Sequence, residues 1–107
     1  MFNWFRKKQE EVIPLDPDTI RREYYFEGTV QNVGFRFEIQ KRAKPLGITG
    51  FAENNDDGSV TSQMQGKEKD IESVIESLQK IDHIHINFIS EKDLPVEPKE
   101  KSFVILY

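Results

Sequence analysis

Apolar and polar positions begin to alternate just past residue 20. Residues 23–30 put Tyr24, Phe26, Gly28 and Val30 on one side and Tyr25, Glu27 and Thr29 on the other, the period of a half-buried strand. The period then changes. Over residues 35–46, Phe35, Ile39, Ala43 and Leu46 share one stripe, with Arg36, Glu38, Lys41 and Lys44 largely outside it, which predicts a helix. Gly47 is a suitable stop, and Pro45, with no N–H to donate, predicts a loosened last turn. Residues 48–54 read as a second strand. The run Asn54-Asn55-Asp56-Asp57-Gly58 contains an Asp-Gly pair and predicts a hairpin. Residues 59–65 return as a third strand, with Val60, Ser62 and Met64 facing one way and Gly66 closing it. Residues 68–80 carry the clearest helical signal, since Ile71, Val74, Ile75 and Leu78 fall at i, i+3, i+4 and i+7. Residues 84–89 alternate again, with Ile84, Ile86 and Phe88 on one face. After a polar loop with Pro95 and Pro98, residues 102–107 form a last strand, with Phe103, Ile105 and Tyr107 on one face and Val104 and Leu106 on the other.

The order is strand, helix, strand, strand, helix, strand, with an additional strand at the end. It predicts an α+β, ferredoxin-like (split βαβ) two-layer sandwich: a mostly antiparallel sheet of four to five strands with two helices on one face. That arrangement hosts many activities and does not choose among them. Residues 1–20 are read as a flexible extension, because the stretch from Gln9 to Asp18 is polar and acidic and Pro14 and Pro17 oppose a regular element. The domain is expected over residues 21–107.

Composition removes several classes. A chain of 107 residues suits one domain with one core. A net charge of −4 argues against a general nucleic-acid binder, so no nucleic-acid partner is expected. The absence of cysteine excludes disulfides, thiolate nucleophiles and cysteine-rich metal sites. No apolar run approaches the roughly 20 residues that cross a bilayer. Phe2, Trp4 and Phe5 precede Arg6, Lys7 and Lys8, the reverse of a signal peptide. The expectation is a cytoplasmic monomer whose first residues form a tail or pack back on the domain.

Candidate chemistry sits where the first strand turns into the first helix. The turn Gln31-Asn32-Val33-Gly34 leads through Phe35 to Arg36. The first N–H groups of a helix lack internal partners, and the helix dipole favours negative charge beside them. Such a turn can hold an anion, and Arg36 adds a planar, permanently charged fork suited to phosphate oxygens. By itself the pattern also fits a solvated helix end with a surface arginine.

Several spaced motifs, taken together, resemble the acylphosphatase family. Its signature G-x-V-Q-G-V-x-F-R is matched by residues 28–36 at every fixed position except Asn32, where the family usually has Gly. An alanine at Ala43 follows, then Leu46-Gly47-Ile48-Thr49-Gly50-Phe51-Ala52-Glu53-Asn54, Asp57-Gly58-Ser59-Val60, Gln65-Gly66, and a closing Phe103-Val104-Ile105-Leu106-Tyr107. The resemblance covers residues 22–107. It implies hydrolysis of the carboxyl–phosphate bond of a small-molecule acyl phosphate, with no metal, no cofactor and no covalent phosphoenzyme. It also implies that Arg36 and the loop N–H groups of Gln31, Asn32, Val33, Gly34 and Phe35 bind the phosphoryl group, and that Asn54 positions the attacking water. The carboxylate of Tyr107 is expected near Arg36. Asn54 alone would otherwise read as a turn former. Asn32 tolerates the left-handed region better than most residues, so the loop can keep its shape.

Other patterns say less. His83 and His85 are expected two apart on one strand face and lack a third ligand. The loop has no G-K-[ST] ending of a nucleotide P-loop. The strand over residues 59–65 lacks the aromatic pattern of an RNA-recognition motif. The alternative function is a non-catalytic acylphosphatase-like module that binds an anion or a protein.

Overall fold

A computed structural model describes residues 15–107 and places β3 (Val60–Lys67) at the centre of a five-stranded sheet. The other strands are β1 (Thr19–Thr29), β2 (Thr49–Asn54), β4 (His85–Leu94) and β5 (Phe103–Leu106), in the spatial order β4-β1-β3-β2-β5. All neighbours are antiparallel except β2 and β5. Two helices, α1 (Phe35–Ala43) and α2 (Glu68–Leu78), complete the ferredoxin-like layer pair expected from the sequence. β1 begins at Thr19, two residues before the expected domain start. The aromatic-then-basic start and most of the expected extension lie outside the described residues.

The core forms where the apolar faces meet. Tyr24 and Phe26 of β1, Val60 and Met64 of β3, Phe35, Ile39 and Ala43 of α1, and Ile71, Val74 and Leu78 of α2 are all buried. Phe26 and Phe35 meet edge to face with ring centroids 5.0 Å apart. Each ring contributes about 1.5–3 kcal/mol by burial. Their mutual geometry adds about 0.5–1.5 kcal/mol. This pair pins the strand before the turn and the helix after it.

Four sequence expectations are corrected by local geometry. Pro45 does loosen the end of the first helix: α1 stops at Ala43 and Lys44–Leu46 forms a 3₁₀ turn. That tighter turn rotates Leu46 off the buried stripe, and it is 42% exposed. Gly66 does not close β3, which runs on to Lys67 because Gly66 still pairs with Ile20 of β1. β4 extends to Leu94, beyond the expected Ile89, because β1 continues to pair with it back to Arg21. Phe88 is on the outer face of the sheet, not with Ile84 and Ile86. Glu27 pairs with Phe88 but Gly28 pairs with Ile86, so Asn87 is an unpaired extra residue. This bulge shifts the alternation, and Ile86 and Ile89 both reach the core. Gly28 permits the close approach at that point: a Cβ there would lie 2.1 Å from the carbonyl oxygen of His85.

β4 and β5 lie at opposite edges, so residues 95–102 must cross the whole sheet. They span four strand spacings, about 19 Å. Their extended reach is about 26–29 Å, so the crossing is nearly direct. The crossing is fastened to the sheet's outer face. Gln65 exchanges hydrogen bonds with Glu97, accepting from its N–H and donating to its carbonyl. Glu100 accepts two bonds from Arg21, at 2.8 and 3.1 Å. Arg21, almost fully buried, also donates to Gln63 and Gln65.

Candidate active site

The turn after β1 is held from beneath by apolar anchors. Val30 and Phe35 are buried, and Val33 packs against the same core. Between these anchors the backbone is left-handed at Asn32 (φ 63°) and again at Gly34 (φ 76°). Left-handed residues spaced in this way curl successive N–H groups toward one centre. Among the described residues, the N–H groups of Asn32 to Phe37 have no backbone acceptor. Glu38 is the first amide of the helix to find one, donating to Gly34 O at 2.9 Å. The unpaired donors and the start of α1 together favour negative charge.

Beside these amides is a hollow of about 130 Å³. Asn32, Gly34, Phe35 and Arg36 line one side, and Asn54 lines it from the end of β2. Arg36 and Asn54 are therefore brought to one hollow. The strands that lead to them, β1 and β2, are not neighbours, because β3 lies between them. Both strands run antiparallel to β3 and so end at the same edge.

Gln31 and Val33 do not line the hollow. The side chain of Gln31 donates to the carbonyls of Asn55 (2.7 Å) and Ser59 (2.9 Å), tying the turn to the β2–β3 hairpin across the gap. The Val33 carbonyl lies 3.2 Å from His83 Nε2. His83 precedes β4 in the chain, whereas His85 opens it, so the two do not share a strand face. Among the described residues no cluster of His, Asp and Glu has the makings of a metal site.

Asn54 and Asn55 divide their work. Asn55 forms the turn: its amide donates to Ser59 Oγ and Thr61 Oγ1, each at 2.8 Å. Asp57 caps the hairpin, accepting from the Ser59 N–H at 2.9 Å and from the Ser59 and Tyr25 hydroxyls. Those donors, the Ser59 hydroxyl foremost, hold its pKa down at about 2. Asn54 lines the hollow, and among the described residues its side chain forms no hydrogen bond that would commit it elsewhere.

A family model described as Acylphosphatase matches residues 22–105. The chain belongs to the acylphosphatase family. An acylphosphatase of Clostridium perfringens is 42% identical over 85 residues, covering 78% of this chain and 96% of that one. One from Geobacillus thermodenitrificans is 37% identical over 87 residues, covering 76% and 87%. The crystal structure of acylphosphatase from Bacillus subtilis superposes with a TM-score of 0.76 at 27% identity, covering 82% of this chain and 99% of that one.

In this acylphosphatase the support of Arg36 differs from the one the sequence suggested. Arg36 Nη1 donates to the carbonyl of Leu106 at 2.8 Å, and its guanidinium lies 5.0 Å from the centre of the Tyr107 ring. Among the described residues it forms no ion pair with the Tyr107 carboxylate. The parallel pairing of β5 with β2 brings the Leu106 carbonyl and the Tyr107 ring beside α1. Sequence reasoning also missed the crossing that delivers β5. Its one signal was the pair Arg21-Arg22 at the start of an otherwise half-apolar strand. Arg22 turns the other way and meets Glu68 at 2.9 Å and Asp93 at 3.1 Å.

Proposed function

We propose that this acylphosphatase hydrolyses a small-molecule acyl phosphate in the hollow between Arg36 and Asn54. The phosphoryl oxygens meet the amides of Asn32, Gly34 and Phe35, with the Arg36 guanidinium across them. The Asn54 amide holds a water in line with the bond to be broken. The water oxygen bonds to phosphorus as the phosphorus–oxygen bond to the acyl group breaks. The electron pair leaves on the carboxylate, and the water's proton passes to the phosphate or to solvent. The departing acid has a pKa of about 4, so it leaves without a proton and requires no general acid. An Asn side chain does not titrate, and its task is orientation. Stabilising the equatorial oxygens and placing the nucleophile account for most of phosphoryl transfer.

The observation that carries this reading is the meeting of an uncommitted Asn54 amide with Arg36 and unpaired N–H groups at one hollow. The protein acts as a cytoplasmic monomer, without cofactor, metal or nucleic acid. Among the described residues no helix is long and apolar enough to cross a membrane. Phosphate release from benzoyl phosphate tests the assignment. Arg36→Ala and Asn54→Ala should each lower kcat by about a hundredfold or more, as loss of a preorganised donor does elsewhere. A wild type no faster than buffer would favour the binding module instead.

A further inference from the structure

We propose that Phe37 forms the acyl side of the hollow and selects carboxyl phosphates whose acyl group is apolar, aromatic ones above all. The proposal rests on the hydrolase reading above. Helix α1 buries Phe35, Ile39 and Ala43 at four-residue intervals. Phe37 lies two residues from Phe35, about 200° around the axis, and so cannot join that stripe. It is 54% exposed, yet it lines the same hollow as Arg36 and Asn54. An exposed ring on a helix is ordinary by itself. Its place at the rim of a phosphate-sized hollow gives it something to meet.

The other apolar lining residues are less available. Val30 and Phe35 are each 1% exposed and committed to the core. Ile105 and Tyr107 belong to β5 and its end, beside the strand that carries Asn54. In-line displacement puts the water and the departing carboxylate on opposite sides of phosphorus. With the water held by Asn54, the acyl group departs away from the β2–β5 pair. Phe37 is the exposed apolar lining residue that this pair does not supply. Among the described residues lining the hollow Arg36 is the one cation, and the phosphoryl group occupies it. Lys41 stands 5.8 Å from the centre of the Phe37 ring, but it is shared with Glu38 at 3.4 Å. A second anionic group on the acyl portion would thus find little to hold it. A flat apolar group would cover the Phe37 ring and exclude water from both.

The test compares benzoyl phosphate with acetyl phosphate in the wild type, Phe37→Ala and Phe37→Leu. The wild type should favour benzoyl phosphate roughly tenfold in kcat/KM, the scale of a few apolar contacts. Phe37→Ala should shrink that ratio roughly fivefold, mainly by raising KM for benzoyl phosphate, since the contact is present before and during the reaction. Phe37→Leu should recover most of the ratio. The thermal midpoint of Phe37→Ala should match the wild type, because the ring is not in the core. Turnover of both substrates with an unchanged ratio, or an equal loss for both in Phe37→Ala, overturns the role of Phe37 and leaves the hydrolase reading standing. Turnover of neither overturns both.

Discussion

Asn32 holds a φ of 63° in the turn that supplies the amides. For most L-residues that conformation costs about 1–2 kcal/mol, while Asn and Gly bear it more easily. The substitution of Gly by Asn in the family pattern therefore preserves the curl of the loop. Asn32→Gly should keep both activity and melting temperature close to wild type. Asn32→Ala should lose about 1 kcal/mol of stability and, because the amides must splay to relieve it, several-fold in kcat. Denaturant titration and benzoyl phosphate turnover would check the pair. Much of this scale was legible from sequence. Arg36 and Asn54 reach one hollow, and the competing reading of Asn54 as a turn former passes to Asn55, whose hydrogen bonds do that work. The Gln31 side chain was not legible. Its partners are carbonyls of residues 24 and 28 positions further on, and a carbonyl has no signature in a sequence.

At the scale of elements, the existence and type of each helix and strand followed from periodicity, and their ends from competition. Pro45 visibly broke the first helix. The bulge at Asn87 did not show, since it arises from the pairing of β4 with β1 and not from either strand alone. The strap between β4 and β5 was equally hidden, because its anchors, Arg21 and Glu100, are 79 residues apart. That strap has a checkable role. Glu100→Ala leaves the Arg21 guanidinium buried without its carboxylate, a loss of about 3–5 kcal/mol for a buried pair and less here, where Glu100 is partly solvated. The expected result is a lower unfolding midpoint and a reduced kcat, because β5 presents the Leu106 carbonyl to Arg36. Arg21→Leu with Glu100→Leu should recover stability better than either single change.

The whole molecule responds to acid through carboxylates whose folded pKa is depressed. Such a group stabilises the fold above its unfolded pKa and loses that contribution as pH falls through the folded value. For Asp57 the window runs from its ordinary 3.8 down to about 2. Glu38, held low chiefly by Arg42 across one helical turn, acts in the same direction. Stability should therefore be level near neutrality and decline below about pH 4, and Asp57→Asn should flatten the decline. Thermal melts between pH 7 and pH 2 would show it. The layered architecture was readable at this scale, but the spatial order of strands was not: β3 separates the two that lead to the hollow.

The bond from Arg36 to Leu106 joins positions 70 residues apart. During synthesis Arg36 is thus made long before the carbonyl that will hold it. The Arg36–Leu106 contact can close only once β5 has docked beside β2, so this bond is made late in the assembly of the chain.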